Sequence, residues 1–205
     1  LSGIDQEERI LILFPDAKNT KHKEILFIKE TNEHIAIWEG AKLSKKQATE
    51  VSAVQTVYWL KDFDVLFKAI MKEAQTVYFN NNNHYRQAVE METREDRFIK
   101  KLKNDYPNHK IENNFPIMQA LRGVKEAEEI HLIQQACNIT EKGFKRVLGF
   151  VRPGVMEYEI EAEYSYEFLK NRSKGFAYTP IIASGYNACV LHYTENNKVC
   201  KDGDL

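Results

Sequence analysis

Residues 151–168 read VRPGVMEYEIEAEYSYEF, and two periods run through them at once. Glu157, Glu159, Glu161 and Glu163 alternate strictly with Met156, Tyr158, Ile160, Ala162 and Tyr164, which is the period of a half-buried strand. Met156, Ile160, Tyr164 and Phe168 also fall at steps of four, and a carboxylate-rich first turn behind Pro153-Gly154 suits a helix start. Period alone leaves strand and helix even. The glutamates look like paired catalytic acids, but consecutive odd positions on a helix splay around it by about 200° each, so a solvated face is the expected role.

Upstream the pattern is less divided. Ile130, Ile133, Cys137, Thr140, Phe144, Val147 and Val151 recur at steps of three and four, one face of a long helix that Pro153-Gly154 ends. Glu126, Glu128 and Glu129 stand in its first turns and Lys145 and Arg146 near its end, as the helix dipole favours. A domain boundary is expected near 115–125.

Before that boundary the spacing predicts strands at 8–14, 24–30 and 33–38, a three-stranded meander. A helix over 43–51 with Ser44 as its cap follows, then a strand at 54–60. Phe63, Leu66, Phe67, Ile70 and Met71 recur at helical spacing, and 76–80 is again strand-like. Alternating strands and helices point to an α/β domain with a mixed sheet over roughly 1–115. Asn80 to Asn83 with His84 form a solvated loop rather than a metal site, since amides are weak ligands and one imidazole cannot hold a transition ion. Residues 94–103 read as a helix with a plain exposed charged face.

Composition excludes more than it selects. Hydrophobic residues at 43% and charged residues at 29% are ordinary for a folded globular protein. With 29 basic and 30 acidic residues the net charge of −1 draws the chain neither to nucleic acid nor to an anionic membrane. The longest apolar runs, such as ILILF at 10–14, fall far short of the roughly 20 residues that cross a bilayer. Cys137, Cys189 and Cys200 fit neither a disulfide framework nor a C-x-x-C site, and read as reduced, cytoplasmic packing residues.

Downstream, ASGYNACVLHYTENNKVCKDGDL at 183–205 places His192 among small residues, Tyr193, Thr194, Glu195 and Asn196. Here a family signature enters. VLHYTEN at 190–196, preceded by Gly185 and Asn187 and followed by DGDL, resembles the catalytic domain of the aminopeptidase P family of M24 metallopeptidases. LRGVKEAEEI at 121–130 is similar to the family's Arg-x-x-Lys-x-x-x-Glu-Ile segment through Arg122, Lys125, Glu129 and Ile130. Arg152, Pro153, Gly154, Glu157, Ile160 and Ala162 match the segment that opens its second catalytic-domain helix, and LSGID at 1–5 resembles an element inside its N-terminal domain. The four stretches lie in family order along the whole chain.

The resemblance implies an α/β fold in two parts. Residues 1–120 would form a creatinase-like mixed-sheet α/β domain with its start missing, and 121–205 the first part of an incomplete pita-bread α/β domain in which 151–168 is a helix. It implies a cytoplasmic, homo-oligomeric hydrolase that removes the first residue from peptides with proline second, using two divalent ions, commonly manganese. The metal ligands would lie beyond Leu205; Asp202 and Asp204 occupy the family's pre-strand turn, and no residue here matches a ligand. Residues 1–205 alone would then be inactive, with the helices at 126–151 and 156–170 short of apolar cover. His192 is implied as a catalytic and substrate-binding residue facing the centre from a strand, chemically apt because imidazole titrates near neutrality. Tyr193 and Asn196 are substrate-binding candidates for which a turn or packing role serves equally, while Gly185 and Asn187 shape the backbone. Prolidase, which takes only dipeptides, and a non-catalytic peptide-binding module on the same fold are the alternatives.

Overall fold

A computed structural model describes residues 2–80 and 91–204, and the chain divides into two compact units, Leu1–Ala120 and Leu121–Leu205. The first is organised by strand β2 (Glu24–Ile28), which lies between β1 (Ile10–Leu13), antiparallel to it, and β3 (Val57–Trp59), parallel to it. The sheet is therefore mixed, as the sequence predicts. Ile25, Leu26, Phe27 and Ile28 are all fully buried because apolar side chains meet both faces of β2. Leu26 and Ile28 pack with Ile4, Val54 and Ala48 of helix α2 (Lys45–Ser52); Ile25 and Phe27 pack with Phe63 and Ile70 of α3 (Phe63–Met71). Burial of this kind contributes about 1.5–3 kcal/mol per side chain. Ser44 caps α2, its hydroxyl accepting from Gln47 N, and Gln47 answers with its own side chain.

The expected third strand at 33–38 is instead helix α1 (Glu33–Glu39). Both edges of β2 are already taken by β1 and β3, and Asn32 starts a helix by accepting from Ile35 N at 2.8 Å. A second sheet pairs β4 (Thr76–Phe79) in parallel with β5 (Lys110–Asn113), and α4 (Arg94–Asp105) stands between them in sequence, capped by Thr93. Neither β5 nor helix α5 (Phe115–Gly123) is visible in the sequence pattern. The polar run at 81–84 lies outside the described residues.

In the second unit α6 (Ala127–Phe150) packs against α7 (Glu157–Lys170), so the ambiguous stretch is a helix. The two approach closely at Gly143, where a Cβ would lie 2.8 Å from Cδ1 of Tyr164. Gly154, at φ +95°, supplies the left-handed turn between them. Val147 meets Val155, Ile160 and Cys200 in a small core, whereas Ile130, Ile133 and Phe144 on the same helix are 57%, 51% and 52% exposed. Cys137 and Cys189 are exposed rather than packed; only Cys200 is buried.

Candidate functional site

The site is assembled around the first residue of α7. Residues 154–157 leave the Pro153-Gly154 turn extended and pair antiparallel with 198–200: Gly154 N donates to Cys200 O, Cys200 N to Val155 O, and Glu157 N to Lys198 O at 2.8–2.9 Å. Met156 N donates to Glu159 Oε2 at 2.7 Å, which starts the helix. The chain then returns across α7 through residues 180–198 and meets two of its glutamates.

Glu157 is fully buried, contrary to the solvated face expected for it. Its Oε1 accepts from Ser184 N at 2.8 Å and Ser184 Oγ at 2.9 Å. Its Oε2 accepts from the Tyr193 hydroxyl at 2.7 Å and from Lys198 N at 3.0 Å. All four donors are neutral groups. Burial alone would raise the Glu157 carboxyl, but the bonds from Tyr193, Lys198 and Ser184 outweigh it and hold the group below its ordinary value. The Tyr193 hydroxyl moves the other way, raised by burial and by donating to the carboxylate.

Glu161, one turn on, accepts from Asn196 Nδ2 at 2.8 Å. Consecutive odd positions do diverge, but Glu157 and Glu161 are four apart and share a face. Asn196 is 3% exposed and sits at φ +46°; it also donates to Pro180 O at 3.1 Å and accepts from Ile182 N at 2.9 Å. Glu163 and Glu167 turn instead toward Arg146 of α6, whose guanidinium also lies 4.1 Å from the Tyr166 ring centroid. Each odd glutamate thus has a separate task, Glu159 as cap included.

The structure brings His192, Tyr193 and Asn196 onto one segment but sets them differently. Tyr193 is buried, and it and Asn196 direct polar atoms at α7 and its surroundings. His192 is exposed and lies in a turn, not on the expected strand, where Tyr193 N donates to Val190 O at 3.4 Å. Gly185, at φ +56°, opens a short 3-10 turn, Gly185–Cys189, and its missing side chain makes room for the Asp204 carboxylate, which would stand 2.9 Å from a Cβ. Asp204 accepts from Lys201 N at 2.8 Å, closing a turn over 201–204. Periodicity gives no sign of Glu157 as an organiser, although it matches the family segment and its partners Ser184 and Tyr193 fall in the stretch around His192.

A groove of about 710 Å³ runs beside the site, lined by Leu132, Ile139, Tyr164, Phe168 and Phe176 among others, and none of the three candidate residues lines it. Among the described residues no three His, Cys, Asp or Glu side chains converge as metal ligands. The described residues therefore do not fit a metal pair. No helix among them is long and apolar enough to cross a membrane.

Two family models match in chain order: "Aminopeptidase P, N-terminal domain" over residues 1–78 and "Metallopeptidase family M24" over residues 131–205. The Xaa-Pro aminopeptidase of Haemophilus influenzae is 29% identical over 205 residues, which is all of this chain and 45% of that protein. The structure of Pseudomonas aeruginosa aminopeptidase PepP overlays 99% of this chain and 46% of its own at a TM-score of 0.86 and 25% identity. Escherichia coli aminopeptidase P in its low-pH form gives 0.81 at 25% identity, over 99% and 46%. The chain spans less than half the length of these proteins. With both models matched in order, over 1–78 and 131–205, and its mixed α/β architecture shared nearly end to end with pita-bread aminopeptidases, the chain belongs to the aminopeptidase P family of M24 metallopeptidases.

Proposed function

We propose that the whole protein is a cytoplasmic, homo-oligomeric Xaa-Pro aminopeptidase that hydrolyses the first peptide bond of peptides with proline in second position. The observation that carries this reading is the ordered pair of family matches over one chain, with an exposed His192 on a segment anchored to α7. Two divalent ions, manganese in this reading, bind to residues of the whole protein other than those described. His192 hydrogen-bonds the substrate near its scissile carbonyl, where an imidazole meets developing negative charge at working pH. Tyr193 and Asn196 fix the substrate-facing turn, and any substrate contact of theirs is through atoms left over from their bonds to Glu157 and Glu161.

The test is an assay of the manganese-loaded whole protein on a Xaa-Pro-Pro tripeptide and a Xaa-Pro dipeptide. Tripeptide cleavage is expected, and cleavage of the dipeptide alone would make it a prolidase. His192→Ala is expected to lower kcat by about 10²-fold or more. If no condition gives turnover while a proline-containing peptide still binds, the peptide-binding module replaces the enzyme.

A further inference from the structure

We propose that Glu157 is a positioning residue for His192, its buried carboxylate tying Ser184, Tyr193 and Lys198 together and so fixing the turn that lies between them. This rests on the reading of His192 as a substrate contact.

The two carboxylate oxygens divide the segment. Oε1 takes both donors of Ser184, upstream of His192; Oε2 takes Tyr193, the next residue, and Lys198, where the chain pairs back onto 154–157. The turn is held from both sides by one rigid group at the start of a helix. Apolar burial does not hold it, since Val190 and Leu191 are 45% and 87% exposed. A buried charge without donors costs several kcal/mol, so a site with four neutral donors on one carboxylate is a built arrangement, and the charge draws them to one geometry. Because these bonds also keep the carboxyl ionised well below neutral pH, the clamp persists across the range in which a peptidase works.

Glu157→Gln keeps the shape but places an amide N–H where Tyr193 and Lys198 now donate. Lys198 N loses its acceptor, the Tyr193 hydroxyl has to turn round and accept, and the turn loosens. In the manganese-loaded whole protein, kcat on a Xaa-Pro-Pro tripeptide is expected to fall about 10- to 100-fold while KM changes less than about threefold. In a His192→Ala background the same substitution is expected to cost less than about twofold more, because a group that acts through His192 has nothing left to position. An unchanged kcat for Glu157→Gln, or an equal loss in both backgrounds, overturns the positioning role and leaves that of His192 standing. A His192→Ala variant with full kcat overturns the reading beneath it, and this inference with it. Should Glu157→Gln not accumulate, Ser184→Ala removes one donor and keeps the carboxylate. It is expected to lower kcat about three- to tenfold in the parent and not in His192→Ala; equal loss in both is again the contrary result.

Discussion

Strand β2 and the segment 180–200 are each gripped from two sides, by opposite means. Around β2 the grip is apolar: four consecutive side chains are removed from water between α2 and α3. Around 180–200 it is chiefly polar: Glu157 and Glu161 accept from Ser184, Tyr193, Asn196 and Lys198, while Ile182 and Cys200 add a small apolar contact. Hydrophobic burial is non-directional and tolerates small shifts; a carboxylate with four donors specifies one geometry and depends on its charge. The first suits a scaffold, and the second suits a turn that must present one imidazole.

Substitutions can break each grip separately. Phe27→Ala, the largest effect, is expected to destabilise the first unit by about 3–5 kcal/mol. Both tryptophans, Trp38 and Trp59, lie in that unit, so the urea midpoint of tryptophan fluorescence reads it. Glu157→Ala is expected to cost the second unit about 2–4 kcal/mol by stranding buried donors, and to leave the tryptophan midpoint in place. Cys200 is the reporter there: exposed Cys137 and Cys189 react at once with a thiol reagent, and buried Cys200 is expected to react roughly 30- to 700-fold faster in the variant. A shift of the tryptophan midpoint by Glu157→Ala would mean that the two grips are not separate.

Acid separates them as well. The folded-state pKa of Glu157 lies below its ordinary value of 4.5, so between the two the unfolded chain binds more protons. Its contribution is complete above about pH 4.5 and is lost as pH falls through the folded value. Cys200 protection is expected to weaken below that pH in the parent, beyond the general acid loss seen in Glu157→Gln; parallel profiles would remove Glu157 from the account.

The smallest pair concerns the α6–α7 contact. Gly143→Ala forces a methyl into Tyr164 and is expected to cost about 1–3 kcal/mol. Gly149→Ala on the same helix meets nothing within 4 Å and is expected to be neutral or to stabilise by up to about 1 kcal/mol. Thermal unfolding of both variants gives the signs.

Local signals carried the sequence reading as far as local causes reach. Ser44 as a cap and the step-of-three-and-four face from Ile130 to Val147 are set by neighbours within a few residues, whereas the helix over 157–170 follows from the family resemblance and the parallel β2–β3 pair joins residues about thirty positions apart. Segment 33–38 misled because a short run, EHIAIW, says nothing about whether an edge of β2 is free to pair. Strand β5 has one apolar residue, Ile111, and pairs with β4 more than thirty positions away. The burial of Glu157 has the same long-range cause: its partners are 27, 36 and 41 residues downstream, and periodicity does not distinguish it from Glu159, although the family segment matches Glu157 and not Glu159. His192 stood out by its neighbours, yet its place in a turn follows from those distant bonds.

Those separations also set an order of events at birth. A ribosome delivers α6 and α7 before Ser184, Tyr193 and Lys198, so the carboxylate of Glu157 waits in water for its last donor. At about 5–20 residues per second, the 41 residues take roughly 2–8 s to synthesise. During that interval the helix pair has its charge but lacks the donors that will cover it, and the stretch bearing His192 docks only after both helices are made.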